Sequence, residues 1–259
     1  MIKGAIFLGT MAFSDNAFLA KLREYADCAR HLFSNPQKPE RERMIVRAFL
    51  RCIGETFEDG EIIASREEPI DVRFRSADFQ IMEIVGNKRR GLEWRQRQDR
   101  YRDAQGVADV LEPYTPSQPM SFDDAAQLVA DGLSEKAARY GAATCASLDT
   151  LVYIDLHNQH LWPLETSGNA RAAAMLQAQG WRSVSMLFVP YGVVLLAAPT
   201  APAVISARAG RVLNEWPGLD GLLTPNRPLA ICGCPCRTAS AESSVRLRWT
   251  LDDRISAPA

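Results

Sequence analysis

The sequence predicts an α/β domain with a central mixed sheet flanked by helices. Three observations predict it: two amphipathic helices open the chain, a meander of three short strands follows directly, and the later sequence alternates helix with strand. The 259 residues are 47% hydrophobic, ample for one large core.

Ser14 and Asp15 suit the cap of a helix running through FLAKLREYADCARHLF, whose Phe18, Leu22, Ala26 and Leu32 approximate one apolar face. In PERERMIVRAFLRCIG, Pro39 fits a first helical turn, Ile45, Phe49, Cys52 and Ile53 share a face, and Gly54 stops the helix. Glu42 falls on that apolar side, so this acid is aimed at the protein. FEDGEIIA, IDVRF and DFQIMEIV then read as strands separated by polar turns. KRRGLEWRQRQDRYRDA is a basic helix with Trp94 and Tyr101 as its buried stripe. The Pro-containing linker EPYTPSQP leads to a capped helix that begins at Ser121, in SFDDAAQLVADGLSEKAARYG. LDTLVYIDLHN is a strand and NARAAAMLQAQG a helix, and SVSMLFVP and YGVVLLAA are two closing strands around Pro190 to Gly192. Residues 14–222 are expected to form a single domain. Residues 1–13 are read as an N-terminal extension outside the fold, and 223–259 as a disordered or atypical tail, rich in Ala, Ser, Pro and Arg and without periodicity.

A net charge of −1 gives no global attraction to nucleic acid, so polyanion binding needs a local basic patch. No apolar run approaches the roughly 20 residues of a membrane helix. Six cysteines scattered through so large a chain fit reduced thiols and a cytoplasmic location. His157, His160 and Asp155 suggest a metal pair without a third ligand at zinc spacing. Cys232, Cys234 and Cys236 likewise lack a fourth ligand nearby. Neither a phosphate-binding glycine loop nor a G-x-S-x-G motif is present, which argues against nucleotide-loop and serine-hydrolase chemistry.

The hairpin DVRFRSADFQIMEI carries the candidate chemistry. Magnesium takes carboxylates, water and substrate phosphate, so a site needs acids converging from neighbouring elements. Asp71 supplies one. Alternation places Gln80, Met82 and Ile84 on one face of the next strand and Ile81, Glu83 and Val85 on the other, and only one set can face Asp71. The plainer alternative is that Asp71 holds a turn and Glu83 faces solvent. Seven Lys and Arg residues lie between Lys88 and Arg102. Arg89, Arg90 and Arg95 follow the Gln80 strand and are candidates for phosphate contact. Arg97, Arg100 and Arg102 read better as a solvated face paired with acids.

The order of Glu42 on a helix, Asp71 in IDV and the FQIME strand resembles the PD-(D/E)xK nuclease core. The blocks RERMIVRAFLRCIG, REEPIDVRFRSADFQIMEI, NKRRGLEWR and QGWRSVSMLFVPYGVVLLAAP are similar to a bacterial family of domains of unknown function that carries an endonuclease description. This resemblance spans roughly residues 14 to 217. It implies a restriction-endonuclease-like core and metal-dependent hydrolysis of nucleic acid, DNA before RNA. Magnesium would be the cofactor and a homodimer the assembly. The resemblance matches Asp71 to the superfamily aspartate, Gln80 to the Glu of Glu-x-Lys, Met82 to its lysine, and Glu42 or Glu40 to the helix acid. Gln80 brings no charge and Met82 no cation, so Asp71 with Glu83 is the expected metal pair. The rival implication is a catalytically inactive nucleic-acid-binding or protein-interaction module.

Overall fold

The computed structural model of the protein describes residues 14–86, 90–113, 115–156, 158–162 and 170–214, with Arg90 as backbone alone. The expected extension at 1–13 and tail at 223–259 lie outside these residues, as do Arg89, His157, Cys232, Cys234 and Cys236.

Helix α1 (Asp15–Leu32) starts where Ser14 Oγ accepts the Ala17 N–H at 3.3 Å. Helix α2 (Lys38–Cys52) has Pro39 in its first turn, and the chain leaves it through Gly54 at φ +68°. Strands β1 (Ile62–Ala64), β2 (Val72–Phe74) and β3 (Ala77–Val85) form an antiparallel meander. Then come α3 (Arg90–Asp103), β4 (Gln118–Ser121), α4 (Phe122–Tyr140), α5 (Ala142–Cys145), β5 (Asp149–Asp155) and β6 (Gln159–Trp162). The described chain closes with α6 (Ala170–Ala178), β7 (Ser183–Phe188), β8 (Tyr191–Ala197), α7 (Ala203–Ser206) and β9 (Val212–Leu213).

The main sheet has seven strands in the order β1-β2-β3-β5-β7-β8-β9. It is parallel from β3 through β5 to β7 and antiparallel at both ends, so the expected mixed sheet is what forms. Central parallel strands are covered on both faces. That is why Leu151, Val152, Tyr153 and Ile154 are all buried in sequence.

Helix α2 covers one face. Phe49 meets Phe79 edge-on at 6.3 Å, and a Cβ on Gly192 would sit 3.0 Å from both Cys52 Cβ and Ile53 Cγ2. Only glycine lets β8 come this close to α2. Helices α4 and α6 cover the other face, where Val129, Leu133, Leu176, Val152, Ile154, Val184 and Met186 form the core. Helix α3 packs on α1 through Trp94, Tyr101, Leu19, Ala26 and Ala29. Arg23 of α1 donates to the Tyr101 and Ala104 carbonyls at 2.8 and 2.9 Å, satisfying the end of α3.

Two elements differ from expectation. The Pro-containing linker runs into β4, which pairs in parallel with β6 as a separate two-stranded ribbon. Its pairing partner lies about forty residues away, and proline masks the strand signal in both position and composition. No described helix is long and apolar enough to cross a membrane.

Candidate active site

The candidate site lies at the start of β2, where its ladder with β3 gives out. Asp71 sits one residue before β2, its N–H donating to the Phe79 carbonyl at 2.9 Å and its carbonyl accepting from Ser65 N at 2.8 Å. Beyond that point β3 has no ladder partner on this edge. The Asp71 side chain fills the gap, with Oδ2 accepting the Ile81 backbone N–H at 2.8 Å. Gln80 Nε2 donates to the same Oδ2 at 3.3 Å and to the Ile81 carbonyl at 2.7 Å.

The first turn of α2 closes the site from the other side. Lys38 and Glu42, one turn apart, place the Lys38 ammonium 3.0 Å from Glu42 Oε1 and 3.2 Å from Asp71 Oδ1. Two carboxylates thus share one ammonium. Glu42 is only 5% exposed. Burial, reinforced by the charge and hydrogen bond of Asp71, raises its pKa from 4.5 to about 7 against the opposing pull of Lys38. Burial alone would lower the Lys38 pKa, but the hydrogen bond it donates to Glu42 and the charges of Asp71 and Glu42 leave it raised. Lys136 of α4 also feels Asp71 and Glu42. Burial, helped by the positive charges of Arg139 and Lys38, lowers its pKa all the same.

The strand's two faces are now assigned. Phe79 and Glu83 face α2, where Arg41 Nε lies 3.1 Å from Glu83 Oε1. Met82 and Ile84 face α4, their tips 3.1 and 3.5 Å from the position of a Cβ on Gly132. Gln80 is therefore the β3 side chain that joins Asp71. The expected Asp71/Glu83 metal pair is not assembled, because Asp71 is bonded at Gln80 and Ile81 while Glu83, further along the strand, pairs with Arg41. Of the two candidate helix acids, Glu42 is at the site, while Glu40 pairs with Arg43 at 2.8 Å.

An oxygen donor set remains. Gln80 Oε1 is buried without a hydrogen-bond partner among the described residues. Two carboxylates and an uncommitted amide oxygen are donor types that a hard divalent cation takes. Among the described residues no three His, Cys, Asp or Glu side chains gather as a metal group, so Asp71 and Glu42 would need a donor of another kind, which the Gln80 amide supplies in type. A magnesium ion fits Asp71, Glu42 and Gln80 in donor chemistry.

The other candidates are placed elsewhere. Arg95 is exposed on α3, and the side chain of Arg90 lies outside the described residues, as Arg89 does. Arg97 pairs with Glu93 at 2.9 Å and Arg102 with Asp99 at 3.1 Å, while Arg100 donates to the Asp109 and Leu111 carbonyls. These are the acid pairs and loop ties of a solvated face. His160 Nδ1 lies 2.8 Å from Ser117 Oγ, and Asp155 accepts from the Tyr153 hydroxyl at 3.3 Å. Sequence reading missed two residues, Lys38 and Lys136. The first was within reach, since it stands four residues before Glu42 on a helix. Nothing local to the second signals its position.

The Glu42 environment has a measurable consequence. A carboxyl whose pKa rises from 4.5 to about 7 on folding binds its proton more tightly in the folded state. Its stabilising contribution is full below the lower value and is lost as pH rises through the upper one. Glutamine imitates the protonated acid. Glu42→Gln is therefore expected to match wild type near pH 5 and to gain on it by up to about 3 kcal/mol above pH 8. Calorimetric unfolding at the two pH values checks this, and a constant difference between the proteins would refute it.

The sequence profile of a protein family described as "Putative endonuclease, protein of unknown function (DUF1780)" matches residues 14–220. No curated protein is detectably similar to the chain. One similar solved structure is that of a protein of unknown function from Pseudomonas aeruginosa strain PAO1, whose name places it in the monooxygenase superfamily. It shares 23% identity at a TM-score of 0.52, covering 78% of this chain and 96% of its own. At that identity the likeness is one of fold.

Proposed function

Because the chain belongs to this endonuclease-described family, we propose that it hydrolyses a phosphodiester of nucleic acid, DNA first, at the cluster of Asp71, Glu42 and Gln80. The observation that carries the reading is the meeting of the Asp71 and Glu42 carboxylates at one ammonium where β2 begins beside β3, with Gln80 bonded to Asp71 through Nε2 and its Oε1 left without a partner among the described residues. The order of helix acid, strand aspartate and following strand supports a PD-(D/E)xK relationship.

Magnesium held by these three residues would polarise the phosphate and acidify a water nucleophile. The chain's own contribution is orientation and charge. The Ile81 N–H holds Asp71 in place before any ligand arrives, so the carboxylate needs no reorganisation. Glu42, half-protonated near neutrality, can exchange a proton without a large change of pH. Lys38, largely exposed, can leave the carboxylates for a phosphate at little cost.

One observation favours the second reading, a catalytically silent binding module. Lys38 already pairs with both carboxylates, so the cluster holds together without a bound ligand. Nicking of supercoiled plasmid in magnesium or manganese, absent in chelator, supports the enzyme. Salt-sensitive DNA binding without nicking supports the module, and the absence of both removes each.

Lys38 offers a further check on the site. Lys38→Met leaves two adjacent carboxylates without their cation, so the variant is expected to become metal-dependent in stability. Its Tm should rise by several degrees, equivalent to about 2 kcal/mol, on adding millimolar magnesium, with a smaller shift in wild type. Scanning fluorimetry reads this directly. Equal shifts in both proteins would place the metal elsewhere.

A further inference from the structure

Met82 holds the β3 position that the resemblance gives to a lysine, and α4 lies directly over it, with Met82 Cε 3.1 Å from the place of a Gly132 Cβ. The helix packs against the tip of that uncharged side chain and brings a charged one of its own. Helix α4 lies in the crossover between the parallel neighbours β3 and β5, which must return the chain against their direction. One turn onward from Gly132, about 6 Å along the helix, brings the chain to Lys136. That distance matches about two residues back along β3, from Met82 to Gln80. Lys136 therefore approaches the Gln80–Asp71 end from the α4 side, while Lys38 approaches it from α2.

The state of this lysine is unusual among its neighbours. Lys38, Arg41 and Arg43 all have carboxylate partners, whereas Lys136 makes no hydrogen bond or ion pair to any described residue. It is nonetheless half-buried and lies within the electrostatic reach of Asp71 and Glu42. Arg139, three residues on, adds a second positive charge on the same helix end and stacks on Tyr140 at 5.2 Å. A partly desolvated ammonium without a partner is costly to keep unless an anion meets it.

We propose that Lys136 is the cation that contacts the scissile phosphate, delivered to the site by helix α4 in place of the strand position occupied by Met82. This assignment rests on the endonuclease reading and names the residue that would meet the substrate in it. The lowered pKa agrees with burial of the ammonium but is not needed for the contact. A phosphate oxygen received there would be paired in the way the bound acids of the cluster are paired by Lys38.

The test compares wild type, Lys136→Met and Lys136→Arg in single-turnover cleavage of a labelled duplex with magnesium. Methionine keeps an unbranched side chain without the charge, and near-UV circular dichroism confirms the fold of each variant. Lys136→Met should lose about 100-fold or more in rate, with Lys136→Arg recovering part of it. Cleavage by wild type with undiminished cleavage by Lys136→Met would overturn the assignment and leave the endonuclease reading intact. If wild type itself does not cleave, that reading fails, and a second measurement decides the assignment. Reductively ¹³C-methylated protein is then titrated with a phosphorothioate oligonucleotide. A shift of the signal missing from Lys136→Met sustains a phosphate contact there, and no shift overturns it.

Discussion

Asp71→Ala is expected to abolish metal-dependent cleavage, with a loss of about 1,000-fold or more, because the substitution removes one of only two acids in the cluster. It is also expected to destabilise the fold by about 1–3 kcal/mol, since the Ile81 N–H is left at the edge of β3 without its acceptor. The two effects can be separated. Asp71→Asn keeps a carbonyl oxygen for Ile81 while discarding the charge, so it should unfold in urea much like wild type and still fail to cleave. Single-turnover cleavage and urea titration of the three proteins give the answer. Cleavage that survives in Asp71→Asn would move the chemistry away from this cluster.

The second large effect is structural. Asp149, at the start of β5, is completely buried and holds four donors: Arg182 Nε at 3.1 Å and Arg182 Nη2, Ser183 Oγ at 2.6 Å, and the backbone N–H of Asp78 at 3.1 Å. These donors belong to β3, to β7 and to the residue just before β7, so one carboxylate ties the starts of three parallel strands. Asp149→Ala strands the Arg182 guanidinium, itself only 16% exposed, and a buried hydroxyl. Breaking one partner of such a pair typically costs about 3–5 kcal/mol. Denaturant unfolding should show a midpoint shift of that size with an unchanged slope. A loss below about 1 kcal/mol would mean that the strand starts are held by packing alone.

Much of this was legible in the amino-acid order, and the failures have a common origin. Periodicity located both opening helices, the meander and the α4 cap at Ser121, because each is a local pattern of burial or capping. It also placed Glu42 correctly on the inner side of α2. The same rule of alternation split Gln80 from Glu83 but could not decide between them. That choice depends on which helix covers which face, information carried by Gly132 in one helix and Arg41 in another. Lys136 was invisible for the same reason. It lies more than fifty residues beyond Gln80 in sequence, and only the packing of α4 over β3 brings it within electrostatic reach of Asp71. Charge density along α3 pointed to nucleic acid, yet three of its arginines are spent on neighbouring acids and carbonyls.

The carboxylate that completes the edge of β3 is fastened to the main chain, and main-chain amides are the same whatever residue carries them. Substitution at position 81 cannot release Asp71 unless it introduces proline, which has no N–H to give. An acid anchored in this way keeps its place when the side chains around it change, because one of its bonds is to the backbone of position 81. Whatever side chains gather there, the site of that carboxylate stays fixed by the main chain.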